Sequence, residues 1–232
     1  MAREHSPWGA DPGAGKAACI NSCLRHATLM MKDRWPRMEK TPLNIPVLLG
    51  TVRRDRVGIR VAKYLVAQLT ARGHRPTLVD PVERVLPMLD RMFKEYPAGE
   101  APKVMQDLAD LYADADGFLI CSAEYNQTVP PAMTNLLDHF LEQYFFRPSA
   151  IATYSPSAYG GVRAAVALRP MLAELGMSSI PSQLAFGHVA DLVNEQGDLL
   201  DAAFQQRTDR FLTEFEWYAR ALKAQRASGV PR

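Results

Sequence analysis

The chain has 232 residues, of which 47% are hydrophobic and 22% are charged, and its formal net charge at pH 7 is +2. This composition is typical of a globular protein and excludes fibrous and wholly disordered classes. Residues 1–44 contain seven Lys or Arg and four Asp or Glu, whereas the whole chain contains 27 and 25. The rest of the chain therefore has slightly more acidic than basic residues and lacks the basic excess of a nucleic-acid-binding protein.

The sequence also lacks signals for a membrane or for secretion. No apolar run approaches the roughly 20 residues that a membrane-spanning helix needs, and the first residues do not form the apolar segment of a secretory signal. Cys19, Cys23 and Cys121 are odd in number, which argues against a disulfide framework. We therefore expect a cytoplasmic protein that has no membrane partner.

Residues 1–43 are predicted to form a flexible or irregular N-terminal extension, because glycine and proline are frequent and no strand-like alternation follows. Packing of this extension on another subunit is the alternative. Lys16 is not followed by the Ser or Thr of a phosphate-binding loop, and Cys19, Cys23 and His26 lack a fourth zinc ligand. We therefore expect no metal site.

From Asn44 onward, apolar strands alternate with helices. Predicted strands cover residues 45–49, 76–80, 117–121, 150–154 and 178–186, and predicted helices cover residues 58–72, 103–113, 130–146, 161–175 and 200–223. Strands that are apolar throughout indicate a parallel sheet covered on both faces. Right-handed crossovers between five such strands favour the order 2-1-3-4-5 in one α/β domain. We place this domain at residues 44–226 and a short tail at 227–232.

The loop after the first predicted strand has the composition of an anion site. It contains Thr51 and three arginines before a helix, whose N-terminal N–H groups attract negative charge. Gly58 permits close approach to the backbone. The loop has neither the Walker ending nor the three-glycine dinucleotide signature, so a monophosphate fits better than a pyrophosphate. A solvated basic turn at a helix start is the alternative.

Two other loops leave the same edge of the predicted sheet, where ligands bind in open parallel sheets. Residues 121–131 offer backbone N–H groups, a side-chain amide and an aromatic face, which suit a flat ring rich in heteroatoms. Residues 154–164 contain the pair Gly160-Gly161, which lets a ligand or a neighbouring loop approach the main chain. A capped turn and a Gly-Gly helix entry are the alternatives. Together the three loops predict one binding site.

These loops resemble those of the NADPH-dependent FMN reductase family, a flavodoxin-like group that includes quinone, azo-dye and chromate reductases. The matching motifs lie within residues 44–186 and read Gly50-Thr51-x-Arg53-x-x-Arg56, Ala123-Glu124-Tyr125-Asn126-x-Thr128-x-Pro130, and Ser155-x-x-x-x-Gly160-Gly161-x-Arg163-Ala164. The resemblance implies a flavodoxin-like three-layer fold built on a five-stranded parallel sheet.

The resemblance also implies a role for each loop. The first would hold the phosphate of FMN, the second would line the flavin ring and the ribityl chain, and the third would border the other edge of the ring. The cofactor-binding residues would be Thr51, Arg53, Arg56, Gly58, Ile59, Ala123, Glu124, Tyr125, Asn126, Ser155, Ser157, Gly160 and Gly161. The family usually has serine where Gly58 stands, and often glycine at Ser157 and proline at Ala123.

The implied function is that of an NADPH-dependent flavin oxidoreductase. Hydride would pass from the nicotinamide of NADPH, or of NADH, to bound FMN, and electrons would pass on to a quinone, azo, metal-oxyanion or flavin acceptor. The hydride step needs no protein acid or base, so we assign no catalytic residue. Members of the family form homodimers or homotetramers, and we expect the same here. The alternatives are a non-enzymatic FMN-binding electron carrier or redox sensor, and a nucleotide-binding protein whose flavin site is empty.

Overall fold

The computed structural model describes residues 41–231, and the predictions for residues 1–40 lie outside them. Five strands make up the sheet: β1 (Asn44–Leu49), β2 (Arg75–Val79), β3 (Phe118–Ala123), β4 (Pro148–Tyr154) and β5 (Ser178–Phe186). The α-helices are α1 (Gly58–Ala71), α2 (Lys103–Ala113), α3 (Pro131–Asp138), α4 (Val162–Glu174), α5 (Val189–Leu192) and α6 (Ala202–Ala227).

The strands form one parallel sheet in the order β2-β1-β3-β4-β5. This confirms the predicted α/β fold with the flavodoxin-like strand order. The order reverses between β1 and β3, which are hydrogen-bonded neighbours, and the Gly50 N–H donates to the Cys121 carbonyl at 3.0 Å. The loops after β1 and β3 therefore leave the sheet side by side.

Each face of the sheet has its own apolar core, which makes the fold three layers thick. Val47 and Leu49 face a core that contains residues of α1 and α6, and Leu48 faces a second core that contains residues of α2, α3 and α4. Because successive side chains of a strand point to opposite faces, both sets must be apolar. This explains why the strands read as uninterrupted hydrophobic runs.

The predicted helix over residues 130–146 was too long. Helix α3 ends at Asp138, and a single 3-10 turn (Glu142–Tyr144) follows before β4. The reason is tertiary packing, since the fully buried Tyr144 ring lies against the rings of Tyr112 and Phe118, with centroid distances of 5.6 and 5.1 Å. Aromatic packing in the core outweighs the weak local preference for helix.

Smaller differences occur near both ends of the domain. The register of β4 against β5 shifts beside Pro181, which has no N–H for the ladder. Leu43, one residue before the expected start of the domain, is fully buried, and its carbonyl accepts the Arg75 N–H at 2.9 Å. Helix α6 continues to Ala227. The limits 44–226 stay a prediction.

Between residues 41 and 231, no helix is both long and apolar enough to cross a membrane.

Candidate functional site

The loop between β1 and α1 is connected to the loop after β3 through Thr51. Its buried hydroxyl lies 2.8 Å from the hydroxyl of Tyr125, and it accepts the Arg53 N–H at 3.4 Å. The Arg53 guanidinium is exposed and lies 5.9 Å from the centroid of the Tyr125 ring, within range of a cation–π interaction. These three predicted residues therefore lie together.

The Arg56 side chain contacts the end of β2 and not Tyr125. Its guanidinium forms an ion pair with Asp80, directly after β2, and the Asp80 side chain is almost completely buried. The carboxylate also accepts the Val82 N–H at 2.9 Å. Arg56 thus anchors the loop to the neighbouring strand, whereas Arg53 and Arg54 remain exposed. A cavity of about 770 Å³ opens beside this basic loop.

The start of α1 has backbone N–H groups available for an anion. Among the described residues, no side chain caps this helix and no acidic residue stands in its first turn. The Arg60 N–H donates to the Val57 carbonyl at 3.0 Å, while N–H groups nearer the terminus lack helical partners, as at any helix start. The positive end of the helix dipole adds to this preference for negative charge.

Gly58 is required for a reason that the sequence did not reveal. A methyl group at this position would overlap the hydroxyl and the ring of Tyr154, the last residue of β4. The close approach predicted at Gly58 is therefore made by a side chain of the same chain. Ile59, the next residue, is half-buried and packs against the core.

The loop after β3 contains a strained turn. Tyr125 and Thr128 pair in an antiparallel bridge through hydrogen bonds of 3.1 and 3.0 Å. Asn126 and Gln127, between them, have φ values of 50° and 66°, the backbone conformation of a tight hairpin turn. Side chains other than glycine adopt it at a cost. The turn carries both residues to the surface, next to the buried Ala123 at the end of β3.

Glu124 joins the loop after β3 to the start of α4. Its carboxylate accepts the backbone N–H of Arg163 at 3.0 Å and Nε of the same residue at 2.6 Å, and it also forms an ion pair with Nη2. Burial by itself would raise the pKa of Glu124, but the hydrogen bonds and charge of Arg163 outweigh it and lower that pKa. Glu124 is therefore an ionised positioning group.

The loop after β4 is held mainly by its own contacts and by β5. The hydroxyl of Ser155 lies 2.9 Å from that of Ser157, and the Ser155 N–H donates to the Phe186 carbonyl at 3.2 Å. Gly160 and Gly161 have φ values of 60° and 81°. A Cβ on Gly160 would lie 2.8 Å from the Gly187 nitrogen, so this glycine admits neighbouring backbone.

The three predicted loops therefore lie at the carboxyl ends of neighbouring strands and are connected to one another by side-chain contacts. Thr51 and Tyr125 join the first loop to the second, and Glu124 and Arg163 join the second to the third. Sequence reasoning missed the roles of Arg163, Asp80 and Tyr154. Arg163 was visible in the third motif, but nothing local distinguished the other two. Residues 41–231 contain no His, Cys, Asp and Glu cluster suited to a metal ion.

Comparison with known proteins gives consistent matches. The family model for NADPH-dependent FMN reductase matches residues 43–191. A quinone reductase of Pseudomonas putida is 27% identical over 177 residues, which cover 72% of this chain and 92% of that protein. An NADPH azoreductase of Bacillus sp. (strain OY1-2) is 26% identical over 155 residues, covering 64% and 80% respectively.

Among solved structures, FerB of Paracoccus denitrificans, a flavoenzyme NAD(P)H:(acceptor) oxidoreductase, superposes with a TM-score of 0.61. It shares 19% identity, and the match covers 78% of this chain and 98% of FerB, which supports the fold. Since the family model spans more than half of the sequence, the chain belongs to the NADPH-dependent FMN reductase family and is an NAD(P)H-dependent FMN oxidoreductase.

Proposed function

We propose that this protein binds FMN at the three connected loops and uses NADPH to reduce a quinone. The observation that carries the proposal is the joined edge formed by Thr51, Tyr125, Glu124 and Arg163, beside the uncapped start of α1. The choice of acceptor is supported by two relatives from Pseudomonas putida that are named quinone reductase. Azo, metal-oxyanion and free-flavin acceptors are the competing outcomes.

The residues present fit the phosphate end of FMN. The start of α1 offers N–H donors, Thr51 offers a hydroxyl, and Arg53 offers a guanidinium that lies over Tyr125 and is free of any acidic partner among the described residues. In this proposal these groups neutralise the dianion and fix its position. Arg56 contributes by holding the loop against Asp80.

The second and third loops would hold the ring. The Asn126-Gln127 turn exposes amide groups, and the buried backbone of Ala123 and Ser155 lies at the ends of neighbouring strands. Bound FMN supplies the redox chemistry, in which a hydride is accepted from the nicotinamide and its electrons are delivered to the acceptor. The contribution of the chain is orientation of the ring and of both substrates. Glu124 is not assigned a proton-transfer role, because Arg163 occupies its carboxylate.

The decisive experiment is NADPH oxidation by the purified, FMN-loaded protein with excess benzoquinone. We expect steady turnover and, in stopped flow, faster bleaching of the flavin absorbance by NADPH than by NADH. Flavin that binds but is not bleached by either nucleotide would favour the electron-carrier alternative. Absence of FMN binding would refute the proposal.

The homodimeric or homotetrameric state and the cytoplasmic location stay predictions. Size-exclusion chromatography with light scattering tests the oligomeric state.

A further inference from the structure

Tyr154 has a buried hydroxyl that no hydrogen bond satisfies. The residue is 6% exposed, its ring belongs to the core between the sheet, α1 and α6, and its Oη finds no partner within residues 41–231. A polar group buried without a partner is costly, so it indicates a partner that protein atoms do not supply.

The position of this hydroxyl is specific. It lies against the backbone of Gly58, the first residue of α1, where a side chain of any other residue would overlap it. The polar groups around it do not satisfy it. The Thr51 hydroxyl lies near enough to lower the pKa of Tyr154 but makes its hydrogen bond to Tyr125, not to Tyr154, and Arg56 is paired with Asp80. The unsatisfied donor thus stands at the uncapped helix N-terminus.

The Tyr154 hydroxyl also stays protonated and can therefore donate a hydrogen bond. Burial raises the pKa of the Tyr154 phenol well above its ordinary value, and the nearby Cys121 and Tyr125 add to the rise, while Thr51 and Arg56 offset part of it. The phenol therefore keeps its proton over the whole physiological range. A neutral donor beside free N–H groups suits an anion better than it suits a cation or an apolar group.

We infer that the Tyr154 hydroxyl donates a hydrogen bond to the phosphate of FMN, and that this contact makes the site select FMN over riboflavin. The inference rests on the proposed function, because it uses the same cofactor. It assigns a binding residue outside the thirteen that the sequence motifs indicated, and it explains why Gly58 is needed: the glycine makes room for the phenol at the start of α1.

Tyr154→Phe tests the inference, since it keeps the ring and removes one oxygen. The dissociation constants of FMN and riboflavin are measured by quenching of flavin fluorescence. We expect the constant for FMN to rise about tenfold, the loss typical of one hydrogen bond to a charged group, and the constant for riboflavin to stay unchanged. The phosphorus NMR signal of bound FMN should also shift. The matched control is Tyr159→Phe, in the same loop but exposed, which should change neither constant.

A second pair of variants moves the hydroxyl. Tyr154→Leu opens the space beside Gly58, and the double variant Gly58→Ser/Tyr154→Leu places a serine hydroxyl at the start of α1. We expect the single variant to lose selectivity for FMN and the double variant to regain most of it, with both folded by circular dichroism. Equal selectivity in the two variants would count against a hydroxyl contact at this place.

The outcomes separate the two proposals. If Tyr154→Phe binds FMN and riboflavin as the native protein does, the phenol only fills space, and the inference fails while the proposed function stands. If the native protein binds FMN no better than riboflavin, the phosphate contact is refuted together with the phosphate site. If it binds FMN selectively but does not oxidise NADPH, the proposed activity fails and the Tyr154 contact is still decided by the ratio of the two constants.

Discussion

Replacing Glu124 with glutamine tests whether the pair with Arg163 holds two loops of the site together. The Glu124 side chain is 6% exposed and that of Arg163 is 46% exposed. Glutamine keeps the shape of the side chain and one acceptor oxygen for the Arg163 N–H, but it removes the charge that attracts the guanidinium. The variant therefore isolates the electrostatic part of the contact.

The expected magnitude follows from the contacts. A hydrogen bond to a charged group contributes roughly 1.5–3 kcal/mol, and solvent screening of the half-exposed Arg163 reduces that contribution. We expect the free energy of unfolding to fall by about 1–2 kcal/mol. Because loosened loops must be ordered again on binding, FMN affinity should fall by up to about tenfold, the factor equivalent to 1.4 kcal/mol.

The loss should depend on pH in a defined direction. Contacts with Arg163 lower the pKa of Glu124 below its ordinary value of 4.5. A carboxylate whose pKa is lowered on folding stabilises the folded state above its unfolded pKa, and this contribution disappears as the pH falls through the folded pKa. The difference between native protein and Glu124→Gln should be full at neutral pH and shrink below about pH 4.5.

Urea unfolding followed by circular dichroism, at neutral and at acidic pH, measures the effect on stability. Fluorescence titration measures the effect on FMN binding. The matched control is Glu195→Gln, which removes a 3.3 Å ion pair with Arg60 in which Glu195 is 77% exposed, and it should change stability by less than about 0.5 kcal/mol. If both variants unfold at the same urea concentration as the native protein at neutral pH, the Glu124–Arg163 pair does not hold the loops.

Three further changes test other parts of the site. Arg53→Gln should weaken FMN binding about tenfold at low salt by removing a charged donor. A fluorescence titration should show no such loss for the control Arg75→Gln, at the amino end of β2 and therefore away from the three loops. Gly160→Ala should destabilise the fold by roughly 1–3 kcal/mol, because its φ is 60° and neighbouring backbone fills the space for a Cβ; an unchanged urea midpoint would contradict this. Gln127→Gly should raise the free energy of unfolding by about 1 kcal/mol, because glycine adopts a φ of 66° without strain; a lower value would mean that the glutamine side chain makes contacts of its own.

The fold was predictable because its signals are local. The apolar run of β1 indicates burial on both faces, and Leu48 and Leu49 do lie in different cores. The end of α3 was not predictable, because it depends on the packing of Tyr144 against Tyr112, which is 32 residues away in the sequence. A helical pattern carries no information about such a distant ring.

The site divides in the same way. Thr51 and Arg53 stand in a basic loop before a helix, so their type and position predict a phosphate contact, which stays a prediction. The ion pair of Arg56 with Asp80 joins residues that are 24 positions apart, and no pattern in either segment announces it. Tyr154 reads as one more core residue at the end of a strand. Only the structure shows that its hydroxyl lies against Gly58 at the start of α1.

The middle loop carries both of the connections described above, one to each neighbour. Tyr125 reaches back to Thr51, and Glu124 reaches forward to Arg163. If the proposed site is correct, engineering that alters these four side chains would loosen all three loops at once. The tip around Tyr159, which is largely exposed, carries neither connection, so libraries aimed at new electron acceptors should diversify that tip and leave the middle loop intact.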